Sequence, residues 1–222
     1  MAKELGVGIV GPGWVAGEHI NAWERNPHTR VVAICGRTEE HAARLRDAKG
    51  LVDCRVYGDY RKMLEQDNLH IVSICTPNHL HAEEGILAAQ AGKHMLIEKP
   101  AAITLDSLHA LRDAIVQAGV KAAVGFELRW SPLYQIIDRL IKQGAIGNIF
   151  YTEVDYRSGM LSGWYPGWDW SITAAEGGSS FLVAGCHAID AMRSLVGAEA
   201  VEVTAYSTKW DTRYEYDATI VA

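Results

Sequence analysis

Two short motifs in the first hundred residues carry groups suited to chemistry on a bound nucleotide. Gly11-Pro-Gly13-Trp-Val-Ala16 follows the apolar run Val7–Val10 and opens the helix-like stretch Trp14–Arg25. In a GxGxxA turn of this kind Gly11 permits the tight turn, Gly13 lets backbone approach a pyrophosphate, and Ala16 lets the helix sit close to the sheet. Trp14 and Val15 belong to the same phosphate-binding turn, where free N–H groups and the positive end of the helix dipole meet the anion. The end of the next apolar run, Val31–Cys35, bears on which dinucleotide is taken. NAD sites ordinarily place Asp or Glu there to hold the ribose 2′-hydroxyl. This chain has Gly36-Arg37 instead, with no carboxylate to repel a 2′-phosphate and a guanidinium able to pair with one. The expectation is NADP as the preferred cofactor, with NAD as the other candidate.

The second motif is Ile97-Glu98-Lys99-Pro100, at the end of the fifth apolar run; Thr76-Pro77-Asn78-His79-Leu80-His81 ends the fourth. Taken alone, a lysine before a proline reads as a surface residue. Parallel sheets bind ligands at the carboxyl ends of their strands, and that position sets both segments on the ligand side. Pro77 removes an N–H and fixes a turn, and Asn78 is placed to cap a helix beginning near Leu80.

These segments need a scaffold, and the apolar patterning supplies one. Runs at Val7–Val10, Val31–Cys35, Ile71–Cys75, His94–Ile97 and Ala122–Val124, with a weaker one at Arg55–Tyr57, alternate with stretches of three- and four-residue apolar spacing. Trp14–Arg25, Glu39–Lys49, Asp59–Glu65, Leu80–Ala91 and Leu105–Ala118 read as crossover helices between strands buried on both faces. This is the pattern of a doubly wound parallel sheet. Beyond about residue 125 the pattern changes. Ser131-Pro132 starts a helix to Lys142, and Ile149–Arg157, Val201–Ser207 and Tyr214–Val221 alternate as strands of an open, mainly antiparallel sheet with one exposed face. The fold class is therefore α/β: a Rossmann domain over residues 1–125, then a partial α+β domain over 126–222 for substrate and oligomer contacts.

Composition narrows the function. With Lys+Arg 21 against Asp+Glu 27, the net charge of −6 disfavours nucleic acid, whose binding needs a basic surplus. No apolar run approaches the ~18 residues of a membrane span, and the stretch Leu5–Val10 is too short and wrongly flanked for a secretion signal. Cys35, Cys54, Cys75 and Cys186 show no CxxC spacing. They read as buried free thiols of a cytoplasmic protein. His79, His81 and His94 form no metal constellation, so no metal is expected.

The glycine turn, Cys75-Thr-Pro-Asn-His-Leu-His81, Glu98-Lys-Pro100, Gly125-Phe-Glu-Leu-Arg-Trp-Ser-Pro132 and Gly185-Cys-His-Ala-Ile-Asp190 together resemble the Gfo/Idh/MocA family of NAD(P)-dependent sugar and polyol oxidoreductases. The resemblance covers nearly the whole chain in order. It implies a substrate site on one face of the open sheet and a homo-oligomer contact on the other. It makes Lys99 the active-site lysine beside nicotinamide and the substrate hydroxyl, where it can hydrogen-bond the reacting oxygen and move its proton. His187 is then an acid/base, and Asp190, one helical turn on, orients substrate or His187. Thr76, Pro77, Asn78, His81, Glu98 and Arg129 join the cofactor contacts; Arg157 and Trp170 join Lys99, His187 and Asp190 against the substrate. Gly163-Trp-Tyr-Pro-Gly-Trp-Asp-Trp170 either stacks on a pyranose or buries its rings under a loop or at an interface.

One position departs from the family. Many of its dehydrogenases carry Asp four residues before the histidine; here it is Val183. Proton transfer then rests on Lys99 and His187, or on a group elsewhere. Three functions follow in order: an NADP-preferring sugar oxidoreductase, a cofactor-retaining sugar eliminase, and a non-catalytic dinucleotide-binding regulator. Family members usually run well over 300 residues. The 222 residues are therefore expected to represent a truncated product or a short form completed by another subunit.

Overall fold

A computed structural model describes residues 4–157 and 167–222; Met1 to Lys3 and half of the aromatic segment, 163–166, lie outside the described residues. The chain divides into two compact units between Val124 and Gly125. In the first, β1 (Leu5–Val10), β2 (Thr29–Cys35), β3 (Arg55–Tyr57), β4 (Ile71–Ile74), β5 (His94–Ile97) and β6 (Ala122–Val124) form one sheet in the order β3-β2-β1-β4-β5-β6. Every pairing is parallel. Helices α1 (Trp14–Arg25), α2 (Glu39–Ala48), α3 (Tyr60–Leu64), α4 (His81–Gln90) and α5 (Leu105–Ala118) make the connections.

The apolar runs become strands because both faces are covered: Val7, Ile9, Ile34, Val72 and Ile74 are fully buried. Each such side chain contributes roughly 1.5–3 kcal/mol. Helix starts follow side-chain chemistry. Thr38 and Thr104 accept the His41 and Ser107 N–H groups at the starts of α2 and α5, and Gly119 ends α5 in the left-handed conformation. The helix expected near Leu80 arrives as a 3₁₀ turn, Asn78–Leu80, that runs into α4.

In the second unit, a 3₁₀ turn at Glu127–Trp130 leads into α6 (Pro132–Lys142), and a π-helical turn, Phe181–Gly185, leads into α7 (Cys186–Val196). β7 (Tyr206–Thr208) and β8 (Thr219–Val221) pair antiparallel. This small sheet has the expected sense, but the three long strands are corrected. Residues 149–157 are irregular, and of the other two only three-residue pieces pair. Alternation writes which face a strand shows, whereas a strand exists only if a neighbour takes its N–H and C=O groups. Phe150, Val201 and Val203 keep the alternation and stay exposed.

One buried carboxyl ties α4 to the ligand side of the sheet. Glu84 accepts the Thr76 hydroxyl at 2.6 Å, and burial pushes its pKa up from 4.5 to about 7 despite that bond. The folded chain thus holds a proton that the unfolded chain has already released, and stability falls as pH rises from 4.5 to about 7. Glu84→Gln keeps an acceptor for Thr76 and removes that loss. Urea denaturation should show it more stable than the parent by about 1–3 kcal/mol at pH 8 and no more stable near pH 4.5. An equal difference at both pH values would contradict the assignment.

Candidate active site

Strand order reverses between β1 and β4, and the crevice beyond their carboxyl ends is where such sheets hold nucleotides. Gly11 turns there with φ +83°, and a Cβ on it would lie 2.7 Å from the Cys75 carbonyl carbon. Only glycine meets both demands. Gly13 is different: a Cβ there would meet no described atom within 4 Å. The space over Gly13 is therefore open to a ligand. Gly13 is also the N-cap of α1, with no capping side chain and no acidic residue in the first turn. A helix start of this kind turns N–H groups and the positive end of its dipole toward an anion such as a pyrophosphate. Trp14 is exposed, Val15 half-buried, and Ala16 is fully buried against the core.

The end of β2 has a steric constraint of its own. A Cβ on Gly36 would come 3.0 Å from the Pro12 ring and 3.1 Å from the Thr38 carbonyl oxygen, so any side chain there is crowded by its neighbours. Arg37, next in the chain, is exposed and forms no ion pair among the described residues.

Beyond β4 and β5 the two loops are joined by His81. Its ring is 1% exposed, with Nδ1 2.7 Å from the Pro100 carbonyl oxygen and Nε2 2.7 Å from that of Thr76. Burial lowers its pKa, opposed by those two carbonyls. Both carbonyls only accept, and the neutral ring that burial favours has one N–H to give to either of them. With both ring nitrogens at hydrogen-bond distance from loop carbonyls, His81 ties the Thr76 and Pro100 loops together. Asn78 is buried beside it.

Lys99 follows β5, and the Lys99–Pro100 peptide is cis. Glu98 before it uses both carboxylate oxygens: Oε1 takes the His19 Nε2 at 3.0 Å, and Oε2 takes the Lys99 backbone N–H at 3.3 Å. Burial works to raise the Glu98 pKa. The His19 hydrogen bond and charge, then the Lys99 ammonium and backbone, outweigh it and hold the carboxyl below its ordinary value. Sequence reasoning missed His19 and its other partner, Ser73; the second-turn position of His19 on α1 was the available signal.

In the second unit the structure gathers the histidine segment with Gly125–Pro132. His187, on the first turn of α7, is 4% exposed. Tyr156 stacks on its ring at 5.5 Å and Phe126 meets it edge-on at 6.1 Å. The Glu127 Oε1 lies 3.7 Å from its Nε2, an ion-pair distance rather than a hydrogen bond. Buried Asp190 receives the Arg129 guanidinium in bidentate fashion, Nε at 2.7 Å and Nη2 at 2.5 Å, and that bond raises the Arg129 pKa. The Asp190 carboxylate therefore anchors Arg129 to α7 rather than reaching His187. Val183, in the π-helical turn, is buried and apolar, and Glu127 is the carboxylate found beside the imidazole.

The outlying candidates separate. Arg157 is 90% exposed and pairs with Asp155 at 3.3 Å. Trp170 sits in a 3₁₀ turn, half-buried, its ring 5.8 Å from that of Trp168. Among the described residues no helix is long and apolar enough to cross a membrane.

Comparison with known proteins gives the same assignment for both units. A family model described as an oxidoreductase family with an NAD-binding Rossmann fold matches residues 5–126, and the GFO/IDH/MocA C-terminal domain matches residues 134–222. Levoglucosan dehydrogenase of Pseudarthrobacter phenanthrenivorans is 31% identical over 220 residues, covering 94% of this chain and 55% of that protein. Glycosyl hydrolase family 109 protein 1 of Bacteroides thetaiotaomicron is 29% identical over 227 residues, covering 92% of this chain and 47% of that protein. A solved levoglucosan dehydrogenase, in complex with NADH and levoglucosan, superposes with a TM-score of 0.87 at 30% identity, over 94% of this chain and 57% of that one. The chain spans about half the length of the curated relatives it matches. It belongs to the Gfo/Idh/MocA family of oxidoreductases, with an NAD-binding Rossmann domain over its first half.

Proposed function

We propose that this chain acts as an NAD(P)-dependent oxidoreductase on a CH–OH group of a sugar, polyol or sugar derivative. The observation that carries the reading is the placement of Lys99. It directly follows a strand beside the switch point, its neighbour Glu98 is held as an ion, and an uncapped phosphate cradle opens at Gly13. A nicotinamide dinucleotide bound there supplies two-electron hydride chemistry. Within the chain, Gly11, Gly13, Trp14, Val15 and Ala16 bind the pyrophosphate, Thr76, Pro77 and Asn78 border the ribose and nicotinamide half, and Glu98 orients the lysine. Lys99 hydrogen-bonds the reacting oxygen and carries its proton during oxidation or reduction. His187 is proposed as a second carrier, with Glu127 beside it to stabilise its charged form. Support for a sugar comes from the relatives named dehydrogenases of levoglucosan and other sugars.

A second reading is favoured by one pair of observations: the relative named as a glycosyl hydrolase, and valine at position 183. Transient oxidation followed by elimination would consume a glycoside with no net accumulation of reduced cofactor. Net reduction in step with sugar consumption selects the dehydrogenase.

Two variants test the assignment. Lys99→Met should lower turnover by about 10³-fold or more, as removal of a proton carrier and oxyanion partner does, while cofactor affinity measured by fluorescence stays within about threefold. Turnover near the parent's would remove Lys99 from the chemistry. For cofactor choice, exposed Arg37 is proposed to favour NADP through its 2′-phosphate. Arg37→Ala should weaken NADP binding about tenfold or more and NAD binding by less than about threefold, measured by calorimetry. Equal losses for the two cofactors would contradict an NADP preference set by this residue.

A further inference from the structure

The lysine strand and the cofactor helix are joined by a buried polar chain that neither motif contains. His19 lies on α1, five residues beyond its first residue, and its side chain is 12% exposed. Its Nδ1 is 2.7 Å from the hydroxyl of Ser73, which is fully buried on β4, and its Nε2 is 3.0 Å from the Glu98 carboxylate. The Trp23 indole, one turn along α1, donates to the same Ser73 hydroxyl at 3.3 Å. The donor inventory sets the direction of every bond in the neutral ring. An indole N–H only donates and an ionised carboxylate only accepts, so Nε2 carries the hydrogen given to Glu98 and Nδ1 accepts from Ser73. Each polar atom then has a partner.

We propose that His19 and Ser73 are positioning residues for Lys99: they clamp the Glu98 carboxylate, through which the helix that receives the pyrophosphate sets the placement of the lysine. The proposal rests on the oxidoreductase reading for its catalytic consequence, and on the geometry alone for the clamp. An isolated buried carboxylate would turn toward solvent or take up a proton. Here one oxygen is fixed by His19 and the other by the Lys99 backbone, so the peptide that carries Lys99 is registered against α1. The other titratable groups near Glu98 are Lys99 beside it, Cys75 beyond β4 and His81 on α4. Only His19 comes from the cofactor helix.

His19→Ala and His19→Gln separate positioning from bulk, because a glutamine amide can still donate to Glu98. The first readout is carboxyl ¹³C NMR of glutamate-labelled full chain, with the Glu98 signal identified by its loss in Glu98→Gln. The Glu98 titration should move up by about one unit or more in His19→Ala and return most of the way in His19→Gln. The second readout is kcat at saturating sugar and cofactor. It should fall about tenfold or more in His19→Ala, with cofactor affinity within threefold, and recover to within threefold of the parent in His19→Gln. If the parent turns over no sugar, the oxidoreductase reading fails on its own. The acylation rate of Lys99, followed by peptide mass, then replaces kcat and should change severalfold in His19→Ala alone. A Glu98 titration unmoved in His19→Ala overturns the clamp. Equal effects of alanine and glutamine overturn it too, as does a moved titration with kcat and Lys99 reactivity unchanged.

Discussion

At Gly11 the backbone of the first turn passes so close to Cys75 and Thr76 that a methyl group would overlap them. This contact closes the switch point of the sheet. It holds the end of β1 against the end of β4, with β5 beside β4, and so brings three loops to one edge: the glycine turn, the Thr76 segment and Lys99. Gly13 is then left facing open space at an uncapped helix start. The two glycines thus do opposite work. One is crowded by protein atoms; the other has none within 4 Å of where a Cβ would stand, the space proposed for a ligand's phosphates. The same turn crowds position 36, where an added Cβ would come 3.0 Å from the Pro12 ring. Sterics at this one turn therefore set how closely the ends of β1, β2 and β4 approach.

Around that turn the loops are fixed by buried polar groups rather than by apolar packing alone. His81 spans the carbonyls of Thr76 and Pro100, Glu84 holds the Thr76 hydroxyl, and Glu98 is gripped from two sides. Such groups cost stability unless fully paired, as the raised Glu84 pKa records. They share one location, the carboxyl ends of β4 and β5, beside the lysine proposed to carry the chemistry.

Much of the first unit was legible because burial on both faces writes each strand as an unbroken apolar run, and each crossover helix as a three-four repeat. The glycine turn and the lysine motif were legible because their chemistry is local in sequence. What connects them was not. His19 meets Ser73 and Glu98 across 54 and 79 residues, and Arg129 meets Asp190 across 61. Neither spacing nor composition encodes partners at such range. His81 shows the same limit: its place in the Thr76 loop was legible, but its position between the Thr76 and Pro100 carbonyls was not. In the second unit, alternation at 149–157 gave the look of a strand without the neighbour that makes one. The resemblance located His187, but the Glu127 carboxylate beside it became visible only once the chain was folded.

The central claim is that the open cradle at Gly13 and the lysine after β5 serve one bound dinucleotide. A crystal structure of the chain with NADPH or NADH tests it most directly. The account predicts the pyrophosphate within hydrogen-bond distance, about 2.7–3.2 Å, of the N–H groups opening α1, with the nicotinamide ring reaching the Glu98-Lys99-Pro100 loop. A dinucleotide bound with its phosphates away from Gly13, or with its nicotinamide end remote from Lys99, would contradict it.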